Sequence, residues 1–291
     1  MTATETVLGA SDLAAYFARI GYSGPAEPSL SCLAGIIAGH AAAIPFENLD
    51  VLLGRPVRLD TAALLDKLVH RRRGGYCFEH NTLLMQVLLA LGFAVEGLGA
   101  RVVWMRAPDE IPPRTHMLLR VLLPAGPHLA DVGFGGLTLT APLRLVADLE
   151  QPTPHDPHRL VATGNGQPSD ELELQARLGA EWTRLYRFSL EPQYPIDYEL
   201  ANWFTSTYPA GLFTNNLLMA LPEPDRRYAL FNDAFTVHYL DGRRERREWH
   251  GPVELGDILA RHFHMMVPPE DLEKVSAAVE RAVAAPPKTA G

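Results

Sequence analysis

The densest chemistry in the chain lies in Arg73-Gly74-Gly75-Tyr76-Cys77-Phe78-Glu79-His80-Asn81. Cys77 follows a polar, glycine-rich stretch, and an apolar helical pattern begins at or just after it. A helix N-terminus offers unpaired N–H groups and partial positive charge. A thiol placed there is biased toward thiolate, the nucleophilic form. The alternative for any cysteine is a buried, inert thiol. That reading suits Cys32, on an apolar helical face, better than Cys77.

A cysteine nucleophile needs a base, and the base needs an orienting partner. Of eleven histidines, two stand out. His80, three residues after Cys77, can share a helix face with it. His116 opens an apolar strand after Arg114-Thr115, and Asp131 sits in the next apolar run, Ala130-Asp131-Val132. Neighbouring antiparallel strands would bring His116 and Asp131 side by side. An acid among apolar residues demands a partner: His116 supplies one, and Arg120 is the structural alternative. His80 has no comparable orienter.

Other clusters carry less. Glu47 and Arg73 read as an ion pair that holds the loop. Gly133-Phe134-Gly135-Gly136 lacks the Lys-Ser/Thr of a phosphate-binding loop; it reads as a tight turn or as a close approach to a ligand. Arg243, Arg244, Arg246 and Arg247 are interleaved with Glu245 and Glu248 and read as a solvated hairpin. His262-Phe263-His264 and the pair His155 and His158 have too few companions for a metal site, and no metal is expected.

Composition narrows the classes. The chain has 291 residues, 47% of them hydrophobic, and a net charge of −8. That size supports a sizeable core, and that charge argues against a nucleic-acid footprint. Met1–Asp12 lacks the basic start and apolar run of a signal peptide. No apolar stretch is long enough to span a bilayer. Two cysteines cannot make a disulfide framework. The expectation is a cytoplasmic protein with no membrane or nucleic-acid partner.

The elements that must position these residues follow from periodicity. Asp12 is expected to cap a helix ending at Gly21, Ser29 a second, and Asp60 a third. A fourth helix starts at Cys77, apolar almost all round and therefore buried, and stops at Gly92. Strands are expected over Val95–Met105, His116–Leu123, Leu129–Phe134, Leu172–Leu178 and Thr183–Leu190. Glu150–Asp170 reads as a loop and Pro286–Gly291 as a loose tail. Two further strands, Tyr228–Phe231 and Phe235–Leu240, lead to a turn at Asp241-Gly242. Helices close the chain at Val253–Phe263 and Pro269–Ala284.

At these residues the chain resembles the arylamine N-acetyltransferase family. The blocks are Ile44-Pro45-Phe46-Glu47-Asn48-Leu49-Asp50, Arg73-Gly74-Gly75-Tyr76-Cys77, Arg114-Thr115-His116-Met117 and Asp131-Val132-Gly133-Phe134-Gly135-Gly136, in the family's order. Asn202-Trp203-Phe204-Thr205-Ser206-Thr207-Tyr208-Pro209 adds a later match. The resemblance spans roughly the whole chain and is weakest after residue 220. It implies an α+β, papain- and transglutaminase-like cysteine-triad fold. The implied parts are a helical bundle (1–93), a β-barrel (94–200) and an α/β lid (201–291). It implies a triad of Cys77, His116 and Asp131, with His80 flanking the nucleophile as a packing residue or as a support for the residues around the site. It also implies acetyl-coenzyme A as co-substrate and an arylamine or arylhydrazine as acceptor, in ping-pong chemistry. By analogy Trp104, Thr115, Gly135, Phe213 and Asn216 meet the cofactor, and Phe46, Val102 and Phe134 wall the acceptor, Val102 reading equally well as core. Alternatives are an amide synthase of the same fold that closes macrolactams, a cysteine hydrolase, and a non-catalytic binding protein. A homodimer is left open.

Overall fold

The computed structural model describes residues 8–163 and 171–284. The tail expected over Pro286–Gly291 and the end of the loop expected over Glu150–Asp170 lie outside the described residues.

The first 90 residues are mainly helical: α1 (Ala10–Ile20), α2 (Leu30–Ala43), a two-residue strand β1 (Phe46–Glu47), α3 (Leu49–Leu52), α4 (Thr61–Leu64) running into a π-helical turn over Leu65–His70, and α5 (Cys77–Ala90). Two expected caps are present. Ser29 Oγ accepts from Cys32 N–H at 3.2 Å, and Asp60 Oδ1 accepts from Ala63 N–H at 3.1 Å. The first cap differs: Gly9 is the N-cap of α1, and Asp12 sits one turn in, accepting the Gly9 N–H at 3.3 Å. Leu83, Leu84, Val87 and Leu88 of α5 are fully buried, as its all-round apolar pattern requires.

The chain then builds β2 (Ala94–Val102), β3 (Arg114–Leu123), β4 (Gly126–Ala130), β5 (Leu143–Arg144), β6 (His158–Ala162), β7 (Leu172–Leu178) and β8 (Glu181–Phe188). They form one antiparallel sheet in the order β5-β4-β3-β2-β8-β7-β6. A bridge from Ala147, just past β5, to Leu160 of β6 draws the two edges together into a nearly closed barrel. β6 lies where a loop was expected. β4 ends at Ala130, so Asp131–Phe134, expected as strand, leaves the sheet.

β3 is buried on both faces over His116–Leu119. Leu118 joins the barrel interior with Leu98, Leu129 and Leu160, while Met117, Leu119 and Val121 pack into the helical core with α5. A strand covered on both sides reads as a continuous apolar run, which Met117–Leu119 shows before Arg120 and the exposed Leu122 break it.

The last third holds α6 (Pro195–Thr207), α7 (Leu212–Asn215), β9 (Leu218–Glu223), β10 (Arg226–Phe231), β11 (Ala234–Tyr239), β12 (Arg244–Glu248), α8 (Gly251–His262) and α9 (Pro269–Ala284). β9–β12 form a second antiparallel sheet whose outer strand is β1, with Phe46 opposite Ala220. Its own core joins Met219, Leu230 and Phe235 to Leu255, Leu259 and Val275 of α8 and α9. Arg244–Glu248 is exposed along its whole length, and Arg243 pairs with Asp241 at 2.8 Å.

Candidate active site

Cys77 is the first residue of α5 and is 3% exposed. The entry to this helix is held by charge. Glu79 Oε2 accepts the Tyr76 N–H at 3.1 Å, and its Oε1 accepts from Lys67 Nζ at 2.7 Å. Lys67 also meets Asp50 at 2.6 Å. Burial alone would lower the Lys67 pKa, but Glu79, Glu47 and Asp50 around it outweigh that and hold it charged. Arg73 donates through Nη2 to Glu47 Oε1 at 2.7 Å, and Glu47 Oε2 accepts the Leu49 N–H at 2.7 Å. The loop before Cys77 is thus pinned on both sides by buried ion pairs.

Gly74 serves a close approach rather than a turn. A Cβ there would lie 1.9 Å from the Pro45 carbonyl oxygen. Gly133 plays the same part across the site: its Cβ would lie 2.7 Å from Cys77 Cα. The Asp131–Gly133 backbone is packed directly on the cysteine.

His116 of β3 and Asp131, the residue just past β4, meet by parity. His116 is two residues before Leu118, and Asp131 two after Leu129. Both leucines face the barrel interior, and alternate residues of a strand share a face. His116 Nε2 and Asp131 Oδ2 are 2.7 Å apart, with the two residues 4% and 0% exposed. The pair forms at the end of the β3–β4 ladder, which closes at Leu119 opposite Ala130. Asp131 Oδ1 accepts two further hydrogen bonds, from Asn81 Nδ2 and Gly133 N–H, each 2.9 Å. Arg120 is not the partner of Asp131; it pairs with Glu96.

Burial disfavours a charged His116, but the Asp131 carboxylate outweighs it, with Cys77 adding to the effect, and the imidazole is raised to about 10. Burial likewise opposes ionisation of Asp131, yet His116, Asn81 and the Gly133 N–H hold its pKa below the ordinary value. The His116 ring packs against Tyr186, centroids 4.8 Å apart, and edge-on to Phe134 at 5.4 Å. The Cys77 thiol donates to the Thr115 carbonyl at 3.5 Å.

Cys77 and His116 open on a cavity of about 800 Å³ with mostly apolar walls. Phe46, Val102 and Phe134, the expected acceptor walls, all line it. So do Trp104, Thr115, Gly135 and Phe213 of the expected cofactor contacts. Asn216 does not. Its side chain donates to the Leu212 carbonyl at 3.0 Å and accepts from Asn232 at 2.9 Å, tying α7 to the second sheet. Sequence reasoning overlooked Asn81, Tyr186 and the mouth residues Arg101 and Arg106. Asn81 carried a signal: four residues after Cys77 is one helical turn, hence the same face. Tyr186 lay in an expected strand with nothing to mark it. Among the described residues no group of three or more His, Cys, Asp or Glu side chains could hold a metal. No helix of the described residues is long and apolar enough to cross a membrane.

An ionisable thiol, an imidazole and a carboxylate beside an apolar cavity suit acyl transfer, and the comparisons with known proteins make the class an acyltransferase. Residues 29–272 match the family model for N-acetyltransferases. The arylamine N-acetyltransferase of Mycolicibacterium smegmatis is 46% identical over 258 residues, 87% of this chain and 92% of the relative. The Escherichia coli arylamine N-acetyltransferase is 43% identical over 254 residues, 87% of this chain and 88% of the relative. The solved Mycobacterium marinum arylamine N-acetyltransferase in complex with CoA superposes with a TM-score of 0.85 at 40% identity, covering 91% of this chain and 99% of that one. The chain belongs to the arylamine N-acetyltransferase family, and its fold is the family's.

Proposed function

We propose that this enzyme transfers an acetyl group from acetyl-coenzyme A to the nitrogen of an arylamine or arylhydrazine, in two steps through a thioester on Cys77. One observation carries the reading: Cys77 opens an apolar cavity of about 800 Å³ from the start of a helix, with the 2.7 Å His116–Asp131 pair behind it.

Asp131 accepts from His116 Nε2, which turns the other ring nitrogen, Nδ1, toward the cysteine. His116, its basicity raised against burial by the Asp131 carboxylate, takes the Cys77 proton and holds it. The sulfur then attacks the carbonyl carbon of the acetyl thioester, the bond from that carbon to the coenzyme A sulfur breaks, and the departing thiolate recovers the proton from His116. In the second half the amine nitrogen attacks acetyl-Cys77. The bond to Sγ breaks, the nitrogen loses a proton through His116, and the Cys77 thiol is restored. Asp131 stabilises the imidazolium in both halves. Exchange of one thioester for another is nearly balanced, whereas amide formation runs downhill.

Flat aryl rings want apolar and aromatic walls, which Phe46, Val102 and Phe134 supply. Trp104, Thr115, Gly135 and Phe213 are the proposed contacts for coenzyme A, on the strength of their place in the cavity wall and of the relative solved with CoA. The division of labour we propose is a nucleophile from 1–93, a base and its orienter from 94–200, and a cover from 201–291. A cytoplasmic setting suits a chain with two free thiols.

Intact-mass analysis after acetyl-coenzyme A is added without amine tests the reading. One acetyl group should appear, map to Cys77 rather than Cys32, and leave when an arylamine is supplied. Label on Cys32 or a lysine alone would overturn it.

A further inference from the structure

Three buried side chains behind the nucleophile form a continuous line that the reaction as described does not use. Tyr16 of α1, His40 of α2 and His80 of α5 are each no more than 1% exposed. Tyr16 Oη lies 2.8 Å from His40 Nδ1, His40 Nε2 lies 2.8 Å from His80 Nδ1, and His80 Nε2 lies 3.2 Å from the Pro45 carbonyl oxygen. The line joins three helices and ends beside the loop that carries Cys77.

Its direction follows from the last acceptor. A carbonyl oxygen has no proton to give, so His80 Nε2 must donate. A neutral imidazole has one N–H, so His80 Nδ1 accepts and His40 Nε2 donates to it. His40 Nδ1 then accepts, and Tyr16 donates. Burial lowers both imidazoles, His80 to about 4, and raises Tyr16, so all three groups are neutral and the assignment is internally consistent.

The end of the line is a crowded place. The Pro45 oxygen also accepts the Gly75 N–H at 3.3 Å, and Gly74 passes so close to it that a Cβ would lie 1.9 Å away. Phe46, the next residue, is a wall of the cavity, and its ring lies parallel to that of His80 at 6.4 Å. Whatever sets the Pro45 carbonyl therefore sets both the turn two residues before Cys77 and one face of the acceptor pocket.

We infer that Tyr16, His40 and His80 are positioning residues, a one-way chain of donors that fixes the Pro45 carbonyl and through it the placement of Cys77 and Phe46. The inference rests on Cys77 as the nucleophile for its kinetic arm only; Cys77→Ala tests that reading separately, and the tautomers are measured whatever Cys77 does.

Long-range ¹H–¹⁵N correlation spectra of the full chain with ¹⁵N-labelled histidine, assigned through His40→Gln and His80→Gln, should show both residues as neutral Nε2–H tautomers at neutral pH. An Nδ1–H tautomer or a cation at either would overturn the chain. In kinetics, His80→Leu should slow both alkylation of Cys77 by iodoacetamide and kcat on the order of tenfold to a hundredfold, as small misplacements near a reacting atom do, with KM for acetyl-coenzyme A unchanged. His80→Gln, whose amide donates and accepts along the same line, should restore most of the rate. Wild-type rates in the leucine variant, or equal losses in both variants, would overturn positioning. If His80→Leu does not fold, Tyr16→Phe takes its place: a several-fold loss at unchanged KM supports the chain, and wild-type rates refute it.

Discussion

Asp131→Asn isolates the carboxylate proposed to orient His116, with almost no change in shape. In the wild type two N–H donors, from Asn81 and Gly133, converge on Oδ1 at 2.9 Å, and the His116 ring meets Oδ2 at 2.7 Å. An asparagine can keep an oxygen at only one of these places. Turning its NH₂ toward the two donors would orphan both, at about 1–3 kcal/mol each. The NH₂ therefore takes the Oδ2 position and donates to His116 Nε2. The imidazole must then carry its proton on Nδ1, the nitrogen that should receive the Cys77 proton, and the base is disabled. The same exchange in a serine triad costs roughly four orders of magnitude in kcat, and a loss of that order is expected here in single-turnover acetyl transfer. Stability should also fall by about 1.5–3 kcal/mol, the worth of a hydrogen bond to a charged group. Assaying only folded protein at low temperature separates the two effects. A destabilised Asp131→Asn enzyme that turns over at near wild-type rate would refute the reasoning and reduce the catalytic unit to Cys77 and His116.

The His116–Asp131 pair also predicts how stability depends on pH. The folded His116 pKa, about 10, lies above its unfolded value of 6.5, so its contribution is complete below about 6.5 and lost as pH rises through 10. The drop in urea midpoint from pH 6 to pH 10 should therefore be smaller in His116→Gln than in the wild type, and parallel curves would exclude the pair as its source. Gly133→Ala forces a methyl group against Cys77 Cα at 2.7 Å. It should cost about 1–3 kcal/mol in thermal or urea unfolding and most of the activity, whereas Gly136→Ala, with nothing within 4 Å of its Cβ, should leave stability unchanged. Arg73→Met strands the fully buried Glu47 carboxylate and should destabilise by about 3–5 kcal/mol in the same assay.

What could be read in the sequence was mostly what is written locally. Ser29 and Asp60 cap helices because a side-chain oxygen reaches the N–H three residues on, and α9 spans Pro269–Ala284 as its periodicity predicts. The helix beginning at Cys77 was legible in the same way. Elements set by distant partners were not. β6 exists because its edge meets β7 and Ala147, although Pro, His and Asp around it read as loop. β1 is two residues long and is a strand only because β9 lies beside it. The helix α6 did carry its own signals, Pro195 at its first position and Asp197 accepting the Tyr194 N–H at 2.8 Å, and these went unread in a stretch of mixed pattern.

The site divides along the same line. Two-residue parity along β3, and along β4 into the residue that follows it, turns His116 and Asp131 toward one face, and the four-residue step that brings Asn81 round to Cys77 was there to be read although it was passed over. Neither rule says how far His116 and Asp131 stand from the helix. That distance is set by the contact of Gly133 with Cys77 Cα, a fit between two backbones 56 residues apart in sequence that no periodicity encodes. The residues that look least chemical in the motif, Gly74 and Gly133, are therefore the ones on which the spacing depends. Adding one methyl group at either should disturb the site more than many changes to the polar groups at the cavity mouth.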